Sequence, residues 1–186
     1  MMNTVQIEDK KFEILLENDN INKRIRLIAI QLNVDYENKC PVFIGVLNGS
    51  FLFMADLLKE VDVPCETGFI RVASYHGTES SGEVREIFGL PDDLAGRDVI
   101  LVEDIVDTGL TLTHILRKVW AKGPASVKVC SLLLKPTALK SPIDELEYVG
   151  FEIANEFVVG YGLDYNGLGR NLRDIYRAVT VPPPLP

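Results

Sequence analysis

The sequence predicts an α/β fold: a central, mostly parallel sheet with helices on both faces. Three observations predict it. Apolar runs of strand length recur at 41–47, 98–102 and 126–134. Stretches with helical spacing of apolar residues alternate with them. The runs are apolar along their whole length, as strands covered on both sides are, and strands alternating with helices pair in parallel.

Bulk properties agree. The chain has 186 residues, 47% hydrophobic and 25% charged, an ordinary globular balance with length enough for one sizeable core. No apolar run nears the ~20 residues that cross a bilayer. The start, Met-Met-Asn-Thr-Val-Gln, lacks the basic and apolar parts of a secretory signal. A cytoplasmic protein with no membrane partner is expected. A formal charge of −8 speaks against nucleic acid as a partner, because such binding needs a basic footprint. The same charge repels an anionic small ligand, so local cations must offset it. Cys40, Cys65 and Cys130 are too far apart for metal-ligand spacing and read as free thiols. His76 and His114 are too few for a zinc site.

The elements follow in order. Between Asn20 and Lys39, Ile21, Ile25, Ile28, Ala29 and Leu32 share one helical face. Pro41 to Leu47 is a buried strand closed by the turn Asn48-Gly49-Ser50. Phe51, Met54, Ala55 and Leu58 mark a helix, and Cys65 to Ala73 a second strand. Ser74 to Gly82 is a polar loop, and Val84 to Leu90 a strand that returns beside the second. Asp98 to Val102 is a third buried strand, followed by a helix on Leu112, Ile115, Leu116 and Val119 that Gly123-Pro124 stops. Ser126 to Leu134 is the fourth strand; Tyr148–Ile153 and Phe157–Tyr161 are short ones. Pro182 to Pro186 is an extended tail. The core spans about 39–136 of a single domain, with terminal segments packing beside it.

The richest stretch is Glu103-Asp104-Ile105-Val106-Asp107-Thr108-Gly109-Leu110-Thr111. A buried strand delivers two adjacent carboxylates, then a glycine turn, then a helix. Open α/β sheets bind ligands at the carboxyl ends of their strands. The unpaired N–H groups of a helix start attract phosphate, Gly109 lets the backbone approach, and the Thr108 and Thr111 hydroxyls can donate. No Gly-Lys-Ser/Thr is present, so this is not the nucleoside-triphosphate P-loop. Two acids beside an anion site make sense if they accept hydrogen bonds from a ribose diol or lie near magnesium. The plainer alternative is that they are helix N-terminal acids complementing the macrodipole.

This run resembles the phosphoribosyl-diphosphate signature of the type I phosphoribosyltransferases, in the form carried by the hypoxanthine/guanine branch. The resemblance extends from about Cys40 to Arg173. It implies the type I phosphoribosyltransferase fold, with a small hood formed by about 1–38 and 137–186. It also implies a Mg2+-dependent purine salvage transferase that joins hypoxanthine or guanine to 5-phosphoribosyl diphosphate, giving IMP or GMP.

Site roles follow from the resemblance. The cradle Glu103, Asp104, Asp107, Thr108, Gly109, Leu110 and Thr111 would hold the 5-phosphate and ribose, with Asp107 as general base near purine N7. Asn48, Gly49 and Arg170 would contact diphosphate, through a strained or cis peptide at the Asn48 turn. Family members often carry a cation where this chain has Asn48. Ser74 and Tyr75 resemble a loop pair that closes over the site. Lys135 would donate to the purine 6-oxo group, Phe157 would stack on the ring, and the Val158 backbone and Asp164 would meet the base edge. Glu103, Asp104 and Asp164 would face magnesium. A homodimer or homotetramer is implied likewise. Taken singly these residues also read as a strand-end turn, a polar loop, a surface lysine and core strand residues. Three other functions stay open: a xanthine-preferring transferase, a phosphoribosyl-diphosphate-sensing regulator of the same fold, and a flavodoxin-like binding module, which would leave the 156–170 cluster unexplained.

Overall fold

The computed structural model describes residues 4–74 and 84–179, with the side chains of 73–74 and 84–88 outside that description. The order is β1 (Thr4–Ile7), β2 (Lys10–Leu16), α1 (Asn18–Asp35), β3 (Val42–Leu47), α2 (Phe51–Lys59), β4 (Glu66–Ser74), β5 (Val84–Phe88) and β6 (Asp98–Val106). Then come α3 (Leu110–Trp120), β7 (Ser126–Leu134), β8 (Leu146–Glu152), β9 (Val158–Val159) and β10 (Ile175–Ala178).

Six strands form the main sheet in the order β5-β4-β3-β6-β7-β8. All neighbours are parallel except the edge pair β4–β5. Its side chains feed two cores. Phe43, Ile100, Val102, Cys130 and Leu132 pack with α1 and α2, whereas Val42, Ile44, Val99, Leu101 and Val129 pack with α3. Successive strand residues point to opposite faces, so an uninterrupted apolar run is what a doubly covered strand requires. Each fully buried Leu, Ile or Phe contributes about 1.5–3 kcal/mol to that packing.

A second sheet, β1-β2-β10-β9, forms the hood around Ile7, Phe12, Val159 and Tyr176. It joins sequence-distant segments: β2 pairs with β10, Phe12 opposite Ala178. Two latches tie it to the main body. The Tyr161 hydroxyl donates to Asp56 of α2 at 2.6 Å, and the Asn18 backbone N–H donates to Asp174 at 2.7 Å.

Several expectations need correction. The buried face of α2 is Phe53, Met54 and Leu57, which shares only Met54 with the stripe through Phe51, Met54, Ala55 and Leu58. β6 runs on to Val106, so Glu103 and Asp104 lie within the strand rather than beyond its end. The sheet gains β8 outside the 39–136 span expected for the core, and α1 packs on the main sheet rather than in the hood. Strands β1, β2 and β10 were not foreseen. Tyr75, His76 and the proline-rich tail lie outside the described residues, and Ser74 is described only as the last backbone position of β4. No described helix is long and apolar enough to cross a membrane.

The strand order places the site. From β3 the chain moves to β4 on one side, and from β6 to β7 on the other. The crevice between the carboxyl ends of β3 and β6 is therefore the topological switch point, where open α/β sheets bind their ligands.

Candidate active site

Residues 47–50 and 103–111 meet at this crevice. Leu47–Asn48 is a cis peptide after β3, Asn48 is exposed and Gly49 is buried. The buried Ser50 donates its hydroxyl to the Val46 carbonyl at 2.7 Å, pinning the turn to its strand. Gly49 lies directly against β6, where a Cβ would overlap the Asp104 carboxylate. Gly162 of the hood lies against the Gly49 carbonyl, again with no room for a Cβ. Only hydrogen side chains allow these three backbone segments to close on one another.

The cradle is built by Gly109, whose φ of 77° turns the chain from β6 into α3. The first intrahelical bond is Thr113 N–H to the Gly109 carbonyl at 2.9 Å. The N–H groups of Leu110, Thr111 and Leu112 therefore have no partner within the helix. A concavity of about 90 Å³ opens there, lined by Glu103, Ile105, Val106, Asp107, Thr108, Gly109, Thr111 and Leu112. Far smaller than a pocket for a whole nucleotide, it is suited to one phosphate group. Below it, the Lys140 backbone N–H donates to the Thr108 carbonyl at 3.2 Å, and Leu139 and Ile143 press on Gly109.

Glu103 and Asp104, adjacent in sequence, diverge because strand residues alternate in direction. Glu103 lines the cradle, whereas Asp104 abuts Gly49. Burial, then the charge of Asp104, holds the Glu103 carboxyl well above the usual carboxylate range. Burial also raises Asp104 to about 6, against hydrogen bonds from backbone N–H groups and the nearby Arg170 guanidinium. Both acids are thus biased toward the neutral form, which a divalent cation or ribose hydroxyls would reverse. Their oxygen donors suit a hard ion such as Mg2+, which takes one or two carboxylates and leaves its other positions to substrate and water. Among the described residues no three acidic, Cys or His side chains converge on one point, so Glu103, Asp104 and Asp164 do not form a three-ligand cage.

Lys135 and Asp107 are brought face to face. β6 and β7 run in register to Val106 opposite Leu134, so the next residue on each strand is a neighbour of the other. Lys135 Nζ donates to Asp107 Oδ2 at 2.8 Å, with the lysine side chain 8% exposed and the aspartate 46%. Each side chain is the other's partner.

The hood contributes the remaining stations. The Phe157 ring is 46% exposed. Its carbonyl accepts from Ala178 N–H at 2.9 Å, so alternation turns the Val158 backbone groups to the outer edge of the hood sheet, where β9 has no further neighbour among the described residues. Asp164 accepts from Arg170 Nη2 at 2.6 Å and from Gly167 N–H at 2.7 Å. Arg170 also donates through Nη1 to the Gly162 carbonyl at 2.7 Å, which sets its guanidinium beside the Gly49 seam. Gly162 as the contact point between hood and core, and Lys10 and Tyr165 beside Phe157, are placements that no local pattern singles out.

Comparison with known proteins bears on this geometry directly. Residues 12–166 match the phosphoribosyl transferase domain family. The chain is 41% identical over 161 residues to the hypoxanthine-guanine phosphoribosyltransferase of Bacillus subtilis, covering 86% of this chain and 89% of that one. It is 45% identical over 161 residues to the bifunctional protein TilS/HprT of Listeria monocytogenes, covering 86% of this chain but only about a quarter (25%) of that protein. The crystal structure of a hypoxanthine phosphoribosyltransferase from Staphylococcus aureus superposes with a TM-score of 0.86 at 42% identity, covering 96% of this chain and 97% of that one. Likeness of this extent spans the switch-point crevice, the cradle and the hood edge together, and the chain belongs to the phosphoribosyl transferase domain family.

Proposed function

We propose that the chain is a purine salvage transferase that converts hypoxanthine or guanine and 5-phosphoribosyl diphosphate to IMP or GMP and diphosphate. The observation that carries this reading is the Lys135–Asp107 pair at 2.8 Å beside the phosphate concavity. A 6-oxopurine presents O6 and N7 side by side on one edge. An ammonium and a carboxylate in contact match that edge atom for atom, Lys135 donating to O6 and Asp107 facing N7. Adenine would turn its 6-amino donors onto an ammonium that has no acceptor.

Bond making is then a displacement at C1 of the ribose. N9 forms the new bond, the C1–diphosphate bond breaks, and the N7 proton passes to Asp107 as general base. The helix start holds the 5-phosphate with N–H groups that have no intrahelical partner, that of Leu110 resting on the Thr108 hydroxyl at 3.5 Å. Phe157 stacks on the base, Val158 bonds its edge through the backbone, and Gly49 and Arg170 receive diphosphate. The chain acts with Mg2+, for which Asp104, Glu103 and Asp164 are the candidate oxygen donors; when bound, the ion offsets the leaving group's charge. Placement in the cytoplasm and a homodimeric or homotetrameric state belong to the same proposal.

The test is incubation with Mg2+, 5-phosphoribosyl diphosphate and, separately, hypoxanthine, guanine, xanthine and adenine, with nucleotide formation followed chromatographically. IMP and GMP should form and AMP should not. Tight binding of phosphoribosyl diphosphate with no nucleotide from any base would replace the enzyme by a sensor.

A further inference from the structure

The β1–β2 hairpin meets the loop that follows β9 through two hydrogen bonds, a packing contact and a cation over a ring. Tyr165 donates its hydroxyl to Asp9 at 2.9 Å, and the Asn166 side-chain amide donates to Glu8 at 2.7 Å. Ile7 fills the space where a Cβ on Gly169 would stand. Lys10 Nζ lies 4.4 Å from the Tyr165 ring centroid and 5.3 Å from that of Phe157. The same loop carries Asp164 and Arg170, bonded to each other at 2.6 Å. Glu8 and Asn166, with φ of 50° and 51°, both hold left-handed backbone to make this contact.

Phe157 is consequently an exposed ring supported by three groups. Phe12 lies tilted at 45° to it with centroids 6.3 Å apart, Tyr165 meets it nearly edge-on at 5.7 Å and 80°, and Lys10 stands over one face. Phe12 and Tyr165 are rings from the hood itself. Lys10 is a charge at the hairpin tip, and in a chain of net charge −8, with Glu8 and Asp9 preceding it, its ammonium is directed at two aromatic rings. A cation over a ring is attracted to the ring's negative face, and the attraction fixes where the ring lies.

We propose that Lys10 is a positioning residue for base recognition. It holds Phe157 and Tyr165 in the orientation in which Phe157 presents its other face to the purine. This rests on the assignment of Phe157 as the base-stacking ring. Lys10 thereby acts on the base through the two rings it faces, whereas the cradle for the 5-phosphate is built from β6 and α3.

The experiment uses the whole protein and four forms: wild type, Phe157→Leu, Lys10→Met and Lys10→Arg. Methionine keeps the length of the stem and removes the charge; arginine restores a cation that stacks on rings. KM is measured separately for hypoxanthine and for phosphoribosyl diphosphate. Lys10→Met should raise KM for the base about two- to fivefold, the range of an exposed cation–π contact. KM for phosphoribosyl diphosphate and kcat should stay within error, and Lys10→Arg should return the base KM to the wild-type value. An unchanged base KM in Lys10→Met overturns the proposal, as does an equal rise in both KM values, which marks a general loss of hood order. A lower base KM also overturns it, because Lys10 would then compete with the purine for the ring. Phe157→Leu separates the two levels: if it leaves the base KM unchanged, the stacking assignment itself fails. If it raises the base KM while Lys10→Met does not, only the role of Lys10 falls.

Discussion

Replacing Asp107 by Asn separates catalysis from binding. The substitution is nearly isosteric and removes the charge facing Lys135 at 2.8 Å. Two effects should follow. An amide cannot take the N7 proton, so kcat should fall by about 10²–10⁴-fold, the usual loss for a positioned base. That corresponds to roughly 3–5 kcal/mol of barrier. The second effect is on stability. Lys135 is nearly enclosed, with a side chain 8% exposed, while Asp107 is open to solvent at 46%. Exposed pairs contribute about 0.2–1 kcal/mol, and removing one member of a buried pair costs about 3–5 kcal/mol. The half-open pair lies between, and the Asn carbonyl can still accept from the ammonium, so a loss of about 1–2 kcal/mol is expected. IMP binding should persist, because Lys135 remains to meet the 6-oxo group and the cradle is untouched. The measurements are steady-state IMP formation well below the melting temperature, IMP titration by calorimetry, and urea unfolding. A kcat within tenfold of wild type would refute the assignment of the base. So would a loss of IMP binding as large as the loss of rate, since Asp107 would then be serving affinity rather than proton transfer.

Other outcomes can be checked alongside. Asp104 is held at about 6 against an ordinary 3.8, chiefly by burial. Its neutral form is favoured in the fold, so its contribution to stability is present below about pH 4 and is lost as pH rises through about 6. Asp104→Asn should therefore match wild type in thermal unfolding at pH 4, exceed it at pH 8, and lose phosphoribosyl-diphosphate turnover; a stability difference independent of pH would refute this. Gly49→Ala forces a methyl group into the Asp104 carboxylate. It should cost about 1–3 kcal/mol in denaturant unfolding and raise KM for phosphoribosyl diphosphate more than for the base.

Much of this architecture is legible in the residues, and the exceptions have physical causes. The buried face of α1 follows from its spacing because positions 21, 25, 28, 29 and 32 recur at the helical period, and Leu27, Ile30 and Val34, which fall off that stripe, stay exposed. Helix α2 reads Phe-Leu-Phe-Met-Ala-Asp-Leu-Leu-Lys, so apolar that two adjacent stripes fit the helical period and only packing against β3 and β6 chooses between them. The carboxylates at 103 and 104 interrupt the apolar run of β6 and suggest an end to the strand. Pairing with β7 continues through them to Val106, because an acid can occupy a strand whose carboxyl end opens on a binding crevice. The hood strands β1, β2 and β10 are short, mixed in polarity and half-buried, and the hairpin of β1 and β2 gains its further neighbour, β10, from far along the chain. The cradle was visible because its chemistry is contiguous. The Lys135–Asp107 and Arg170–Gly162 contacts depend on register and loop closure, which local pattern does not encode.

The pairing of β2 with β10 has a consequence for how the protein is made. A nascent chain that has released β8 already possesses every strand of the six-stranded sheet, and its first hairpin has been outside the ribosome since the beginning. That hairpin still lacks its neighbour, and β9 has none but β10. At about 5–20 residues per second, β10 follows β2 by on the order of ten to thirty seconds. In the later part of that interval, once α3 and β7 have followed, the chain can possess the helix start and the Lys135–Asp107 pair while β9 still lacks its partner. On the proposed assignment, the stacking ring and the edge beside it are thus the last parts of the base site to be fixed, and a product cut short before β10 would hold the anion station without them.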